Sequence, residues 1–170
     1  APPALPDKLH WFYWESYSTW LSGFALFAVL YLWNASAFLI DKQVLDWSPV
    51  AAGFTAVGML AAFWFIYDAI CRVFGFRPHG ERIVAALLLG VVALACWLAT
   101  HLFSGRAAFL IVGAMLATAM SANVFFWIIP GQRKVIAQMK AGQPVDPIHG
   151  QRAKQRSVHN TYFTLPVLFA

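Results

Sequence analysis

Charge is what this sequence has least of. Only 11% of its 170 residues are Asp, Glu, Lys or Arg, where a soluble domain carries about 25%. That scarcity argues against a water-soluble globule, and the 61% hydrophobic content excludes a disordered chain. Cysteine is almost missing too. Cys71 and Cys96 match no metal-ligand spacing, lie inside apolar segments, and read as inert small apolar residues. No P-loop, Gly-x-Gly-x-x-Gly, His-Glu-x-x-His or Cys-x-x-Cys-His string occurs, so ATP hydrolysis, zinc proteolysis and covalent c-type haem find no support. The opening Ala1-Pro2-Pro3-Ala4-Leu5-Pro6 lacks an initiator Met and the pattern of a signal peptide. The apolar stretch at the other end stops after a few residues, at Ala170. Both ends are those expected of a piece of a longer protein.

What the sequence does have is long apolar runs, with 16% aromatic residues. Runs of 18 or more such residues are the mark of membrane spans. The expected fold is therefore an all-α integral membrane protein, an antiparallel transmembrane helix bundle forming one domain over 1–170. Spans are expected at about 17–40, 49–71, 83–103 and 107–129, with the start of a further span at 162–170. Ser48-Pro49 is a good start signal for the second, and Pro130-Gly131 is expected to close the fourth. Residues 131–160 read as a basic inner loop that either lies solvated on anionic lipid or also helps to shape a site, with a short surface helix at Val135–Lys140.

The net charge of +5 does not point to nucleic acid, because the basic residues flank apolar segments. With the N-terminus inside, the inner side holds Lys8, Arg72, Arg77, Arg82, Arg133, Lys134, Lys140, Arg152, Lys154 and Arg156. The outer side keeps only Lys42 and Arg106. Such a bias of Lys and Arg sets orientation in a bilayer.

Polar groups at membrane depth are costly, and so they are candidates for function. On the fourth span, Gly113, Ala117 and Ser121 share a face with Ala114, Thr118 and Ala122. That face serves either close helix packing or a flat ligand, with Asn123 near its inner end. On the third span Ala86, Gly90, Ala93, Trp97 and His101 form one stripe. His101 is either an interfacial histidine or an axial ligand to haem iron. Toward the inner face lie Glu15, Asp68, Arg156, His159 and Asn160. Asp68 and Arg72, four apart, form a plain ion pair, or the group converges on a polar substrate, with Arg holding anionic oxygens while a carboxylate or histidine moves protons.

Several strings then resemble one family. They include His10-Trp11-Phe12-Tyr13-Trp14-Glu15, Tyr67-Asp68 with Cys71-Arg72, and Ser104-Gly105-Arg106-Ala107-Ala108-Phe109. Ala122-Asn123-Val124-Phe125-Phe126, Ile129-Pro130-Gly131-Gln132-Arg133-Lys134 and Ala153-Lys154-Gln155-Arg156-Ser157-Val158-His159-Asn160 complete the set. Together they resemble the membrane-bound urate oxidase (urate hydroxylase) family over nearly the whole chain.

The resemblance implies a bacterial inner-membrane oxidoreductase of purine degradation that converts urate to 5-hydroxyisourate. It also implies a cytochrome c domain on the outer side, absent from this chain, that takes the electrons. A hydrocarbon core about 30 Å thick is too far for one electron hop, so a haem b inside the bundle is expected, with His101 as its ligand. Glu15, Asp68 and His159 are the expected catalytic groups, and Arg156, Asn160 and Asn123 the expected urate contacts. The competing expectation is a non-catalytic haem-binding or cytochrome-anchoring subunit of an electron-transfer complex.

Overall fold

The computed structural model describes residues 11–170, with side chains from Trp14 onward. Lys8 and His10 lie outside the described residues. Every regular element among those described is helical: α1 (Trp11–Phe27), α2 (Ala35–Phe38), α3 (Pro49–Phe74), α4 (Gly80–Leu102), α5 (Gly105–Asn123), α6 (Ile129–Lys140) and α7 (Pro147–Phe169). Three helical stretches are long and apolar enough to cross a membrane: Pro49–Phe74, Gly80–Leu102 and the continuous Gly105–Lys140.

The start of α3 is the one the sequence signals. Ser48 is its N-cap, with Oγ accepting from the Ala51 N–H at 3.2 Å, and Pro49 occupies the first turn. Ser104 caps α5 in the same way, and its Oγ also donates to the Phe38 carbonyl at 2.8 Å, tying α2 to the α4–α5 turn. Helix α5 is the centre of the bundle, packed on α3, α4, α7 and α1. It buries Ala107, Ile111, Met115, Leu116 and Ala119 against a stripe of α3 formed by Ala52, Ala56, Leu60, Phe63, Tyr67 and Cys71. Those α3 positions recur every three or four residues, the spacing of one helix face.

Three expectations are corrected. The first span, 17–40, is not one straight helix: α1 passes into a π-helical turn at Ala28–Leu32, and the chain breaks before Ala35. Pro130-Gly131 does not close the fourth span. A second π-helical turn, Val124–Ile128, precedes Pro130 and α6 runs on to Lys140. Proline lacks an N–H and its ring crowds the preceding turn; the wider π turn accommodates both without ending the helix. The third correction matters most for function. Most of the basic loop 131–160 is helix, not loop.

Helix α7 begins at Asp146, whose carboxylate accepts from the Ile148 N–H at 3.0 Å, with Pro147 following. It then buries Ala153, Gln155, Arg156, His159 and Phe163. The close approach of α6 to α7 requires Gly131, where a Cβ would come within 2.9 Å of the His149 carbonyl oxygen and 3.1 Å of the Ala153 Cβ. A polar sequence can thus enter the core because its polar atoms meet partners there.

Candidate functional site

The partners gather where α3 ends, α4 begins and α5 gives way to its π turn. Asp68 lies six residues before the end of α3 and is buried. Its Oδ1 accepts from Arg156 Nη2 at 2.7 Å and from Trp127 Nε1 at 2.7 Å, while its Oδ2 meets Arg72 Nε at 2.6 Å. Arg156 is only 2% exposed, and its Nη1 has no partner among the described residues. A buried guanidinium with an idle donor is costly unless something accepts from it.

Beside this ion cluster runs a second set of bonds whose direction can be assigned from two fixed points, the Met120 carbonyl and the Glu81 carboxylate. The Met120 carbonyl can only accept, so the Asn160 group 3.0 Å from it is the amide Nδ2. Asn160 Oδ1 then faces Asn123 and accepts from its Nδ2 at 2.9 Å. The same Asn123 Nδ2 donates to the Tyr67 hydroxyl oxygen at 2.9 Å. The Glu81 carboxylate can only accept, so a neutral His159 carries its proton on Nε2, 3.4 Å from it. His159 Nδ1 is then an acceptor, and the Tyr67 hydroxyl 2.9 Å away donates to it. From fully buried Tyr67 through His159 to a Glu81 side chain that is 63% exposed, both donors point the same way. Gln155 holds the outer end, donating to Glu81 Oε1 at 2.7 Å and to the Gly75 carbonyl at 3.3 Å.

His159 precedes the apolar stretch that begins at Tyr162. Burial pushes its imidazole below the usual value, and the Glu81 carboxylate pulls the other way. A neutral ring agrees with the tautomer that the bonds impose.

The sequence profile of the urate oxidase N-terminal family matches residues 1–170. The chain belongs to the urate oxidase N-terminal family. No curated protein and no solved structure matches it.

In this urate oxidase family chain, the structure brings together five of the seven residues singled out from sequence. Asp68, Asn123, Arg156, His159 and Asn160 all lie in the cluster. Asn160 and Asn123 spend their amides on each other, on Tyr67 and on Met120, which leaves only Asn123 Oδ1 without a partner. Glu15 is not brought in; it is exposed on α1, its carbonyl accepting from Ser18 and Thr19. His101 is not brought in either. It is exposed near the far end of α4, with Nδ1 at 2.7 Å from the Trp97 carbonyl and its ring against the Trp97 indole.

The haem expectation meets the same geometry. The stripe Ala86, Gly90, Ala93, Trp97 and His101 is exposed along its whole length, and α4 buries Val84, Leu88, Ala95 and Ala99 instead. Val84 and Leu88 gain more by burial than Ala86 and Gly90 would, while Ala95 and Ala99 let the helix approach its neighbours closely. The small face of α5 borders an apolar cavity of about 400 Å³ facing α1, with no histidine in its wall. At one end Gly113 meets Ala170. The described residues thus do not fit a haem between α4 and α5. No group of three His, Cys, Asp or Glu side chains forms a metal site among the described residues.

Sequence reading missed Tyr67, Glu81, Trp127 and Gln155. A signal for the α7 residues was present: Asp146-Pro147 is a helix start, and Ala153, Arg156, Asn160 and Phe163 follow at helical spacing. Glu81 had none, since an acid in the first turn of a helix is ordinary.

Proposed function

We propose that this chain is the membrane part of a cytochrome-linked urate oxidase, in which urate is hydroxylated to 5-hydroxyisourate at the Asp68–Arg156–His159 end of the bundle. That end is the cytoplasmic one in this reading, because the clustered Lys and Arg residues favour it. The urate monoanion plus water gives neutral 5-hydroxyisourate, a proton and two electrons. A C–O bond forms at C5 of the purine, an O–H bond of water breaks, and two one-electron haem proteins of the cytochrome c class take the electrons.

The observation that carries this reading is the one-way run of donors from Tyr67 through His159 to exposed Glu81. An oxidation that adds water must shed a proton from a poorly hydrated place. In this reading Tyr67 takes up the proton that water loses at the purine as it passes its own to Nδ1, 2.9 Å away. Nε2 releases one toward Glu81 at 3.4 Å, so one proton leaves and both Tyr67 and His159 end as they began. Arg156 supplies positive charge for the anion next to that run, its guanidinium standing 4.7 Å from the Tyr67 ring centroid.

The test uses the intact protein in its membrane, with its electron acceptor. Urate loss, cytochrome c reduction and peroxide are followed together. Two cytochromes reduced per urate without peroxide is the expected result, and equimolar peroxide with no reduction refutes it. Arg156→Lys and His159→Gln each lower urate turnover by about 10²-fold, the usual contribution of a positioned acid–base group.

A further inference from the structure

A small cavity of about 190 Å³ opens beside the ion cluster, walled by Arg72, Arg152, Arg156, Gln155, Trp127 and Cys71. Its wall is cationic. Three guanidiniums surround one indole, with Cζ atoms 5.0, 5.9 and 5.1 Å from the Trp127 centroid for Arg72, Arg152 and Arg156. Asp68 neutralises one of them, and Glu81, reached through Gln155, neutralises at most a second. At least one positive charge remains. Like charges this close repel, and Arg156 Nη1 is buried without an acceptor.

We infer that this cavity is an anion site, and that its ligand is a small planar oxyanion of the purine class. The inference rests on the urate reading above and assigns that reading a seat. Arg forks match paired oxygens in one plane, and a guanidinium face takes a flat delocalised ring. The Trp127 ring, flanked by the guanidiniums of Arg72, Arg152 and Arg156, is fixed by its Nε1 bond to Asp68. The volume is below the roughly 300 Å³ at which drug-sized pockets begin, so a bicyclic ring suits it. Arg152 is the group that decides the matter. It is exposed, and its one described contact is with Trp127, so it is free to close on a ligand without disturbing the buried pair. The phosphate of an anionic lipid would satisfy the same guanidiniums, and the experiment separates the two sources.

The intact protein is placed in nanodiscs of zwitterionic lipid, and urate binding is measured by equilibrium dialysis alongside KM for turnover. Arg152→Gln and Trp127→Leu are expected to raise both the urate Kd and KM by about tenfold or more, as loss of a charge-assisted contact does, and Arg152→Lys to recover part of the loss. Arg106→Gln, at the other end of the bundle, is the control and changes neither. If wild-type protein binds and turns over urate but Arg152→Gln and Trp127→Leu keep its KM, the seat is refuted while the urate reading stands. If wild-type protein neither binds nor consumes urate, the urate reading fails and this assignment fails with it. Arg152-dependent binding to phosphatidylglycerol vesicles, with urate binding unaffected, makes the cavity a lipid headgroup site and overturns the proposal. Unchanged melting of Arg152→Gln confirms that the variant reports on the ligand and not on folding.

Discussion

Replacing Asp68 by Asn tests whether the site is held by a buried ion pair. The side chains of Arg156 and Asp68 are 3% and 8% exposed, at 2.7 Å. Removing one partner of such a pair strands the other charge, which costs about 3–5 kcal/mol. Asn still offers an oxygen to Trp127 Nε1, so the loss falls at the lower end, about 3 kcal/mol. Arg72 gives the comparison: it meets the same carboxylate at 2.6 Å but is 62% exposed, so Arg72→Ala costs at most about 1 kcal/mol. For a chain of this size about 3 kcal/mol lowers the melting temperature by roughly 6–12 °C, read by circular dichroism in detergent. The double variant Asp68→Leu with Arg156→Met removes both charges and recovers most of that loss, since an apolar pair of similar volume is near neutral. An Asp68→Asn loss no greater than that of Arg72→Ala refutes the buried-pair account.

Three further outcomes follow from the same geometry. Glu81→Gln removes the outer acceptor of the proton run, so urate turnover falls about tenfold or more and its pH dependence flattens, while Glu81→Asp restores part of it; a tie between α4 and α7 alone would change stability without changing the pH profile. His159 titrates below its usual value when folded, so the folded state binds fewer protons than the unfolded chain. Its cost is absent above about pH 6.5 and grows as the pH falls through that value, so melting temperature drops on acidification and His159→Gln shows a smaller drop. Reporter fusions after Lys140 read cytoplasmic and fusions near Lys42 or Ser104 read periplasmic, and the reverse pattern overturns the orientation drawn from Lys and Arg.

The family resemblance was legible in short strings spread over the whole chain, and the profile match over residues 1–170 agrees with it. The all-helical class and three membrane-length helices were legible in composition and apolar run length, because burial in lipid demands many apolar residues in succession. Ser48-Pro49 fixed the start of α3 by local chemistry alone. The sequence also supplied five members of the site, because polar groups stand out in an apolar chain.

The tertiary structure decided the rest. It chose which stripe of α4 faces inward, since Val84, Leu88, Ala95 and Ala99 compete with Ala86, Gly90, Ala93 and His101 on one helix, and only the shape of α3 and α5 settles which gains more contact. It turned a polar, basic segment into a core helix, because Tyr67, Asp68 and Glu81 offer Arg156, His159 and Gln155 the partners that make burial affordable. Those bonds join residues 74 to 92 positions apart. Sequence periodicity reports the angle of a side chain about its own helix and carries no record of which distant group that side chain will meet.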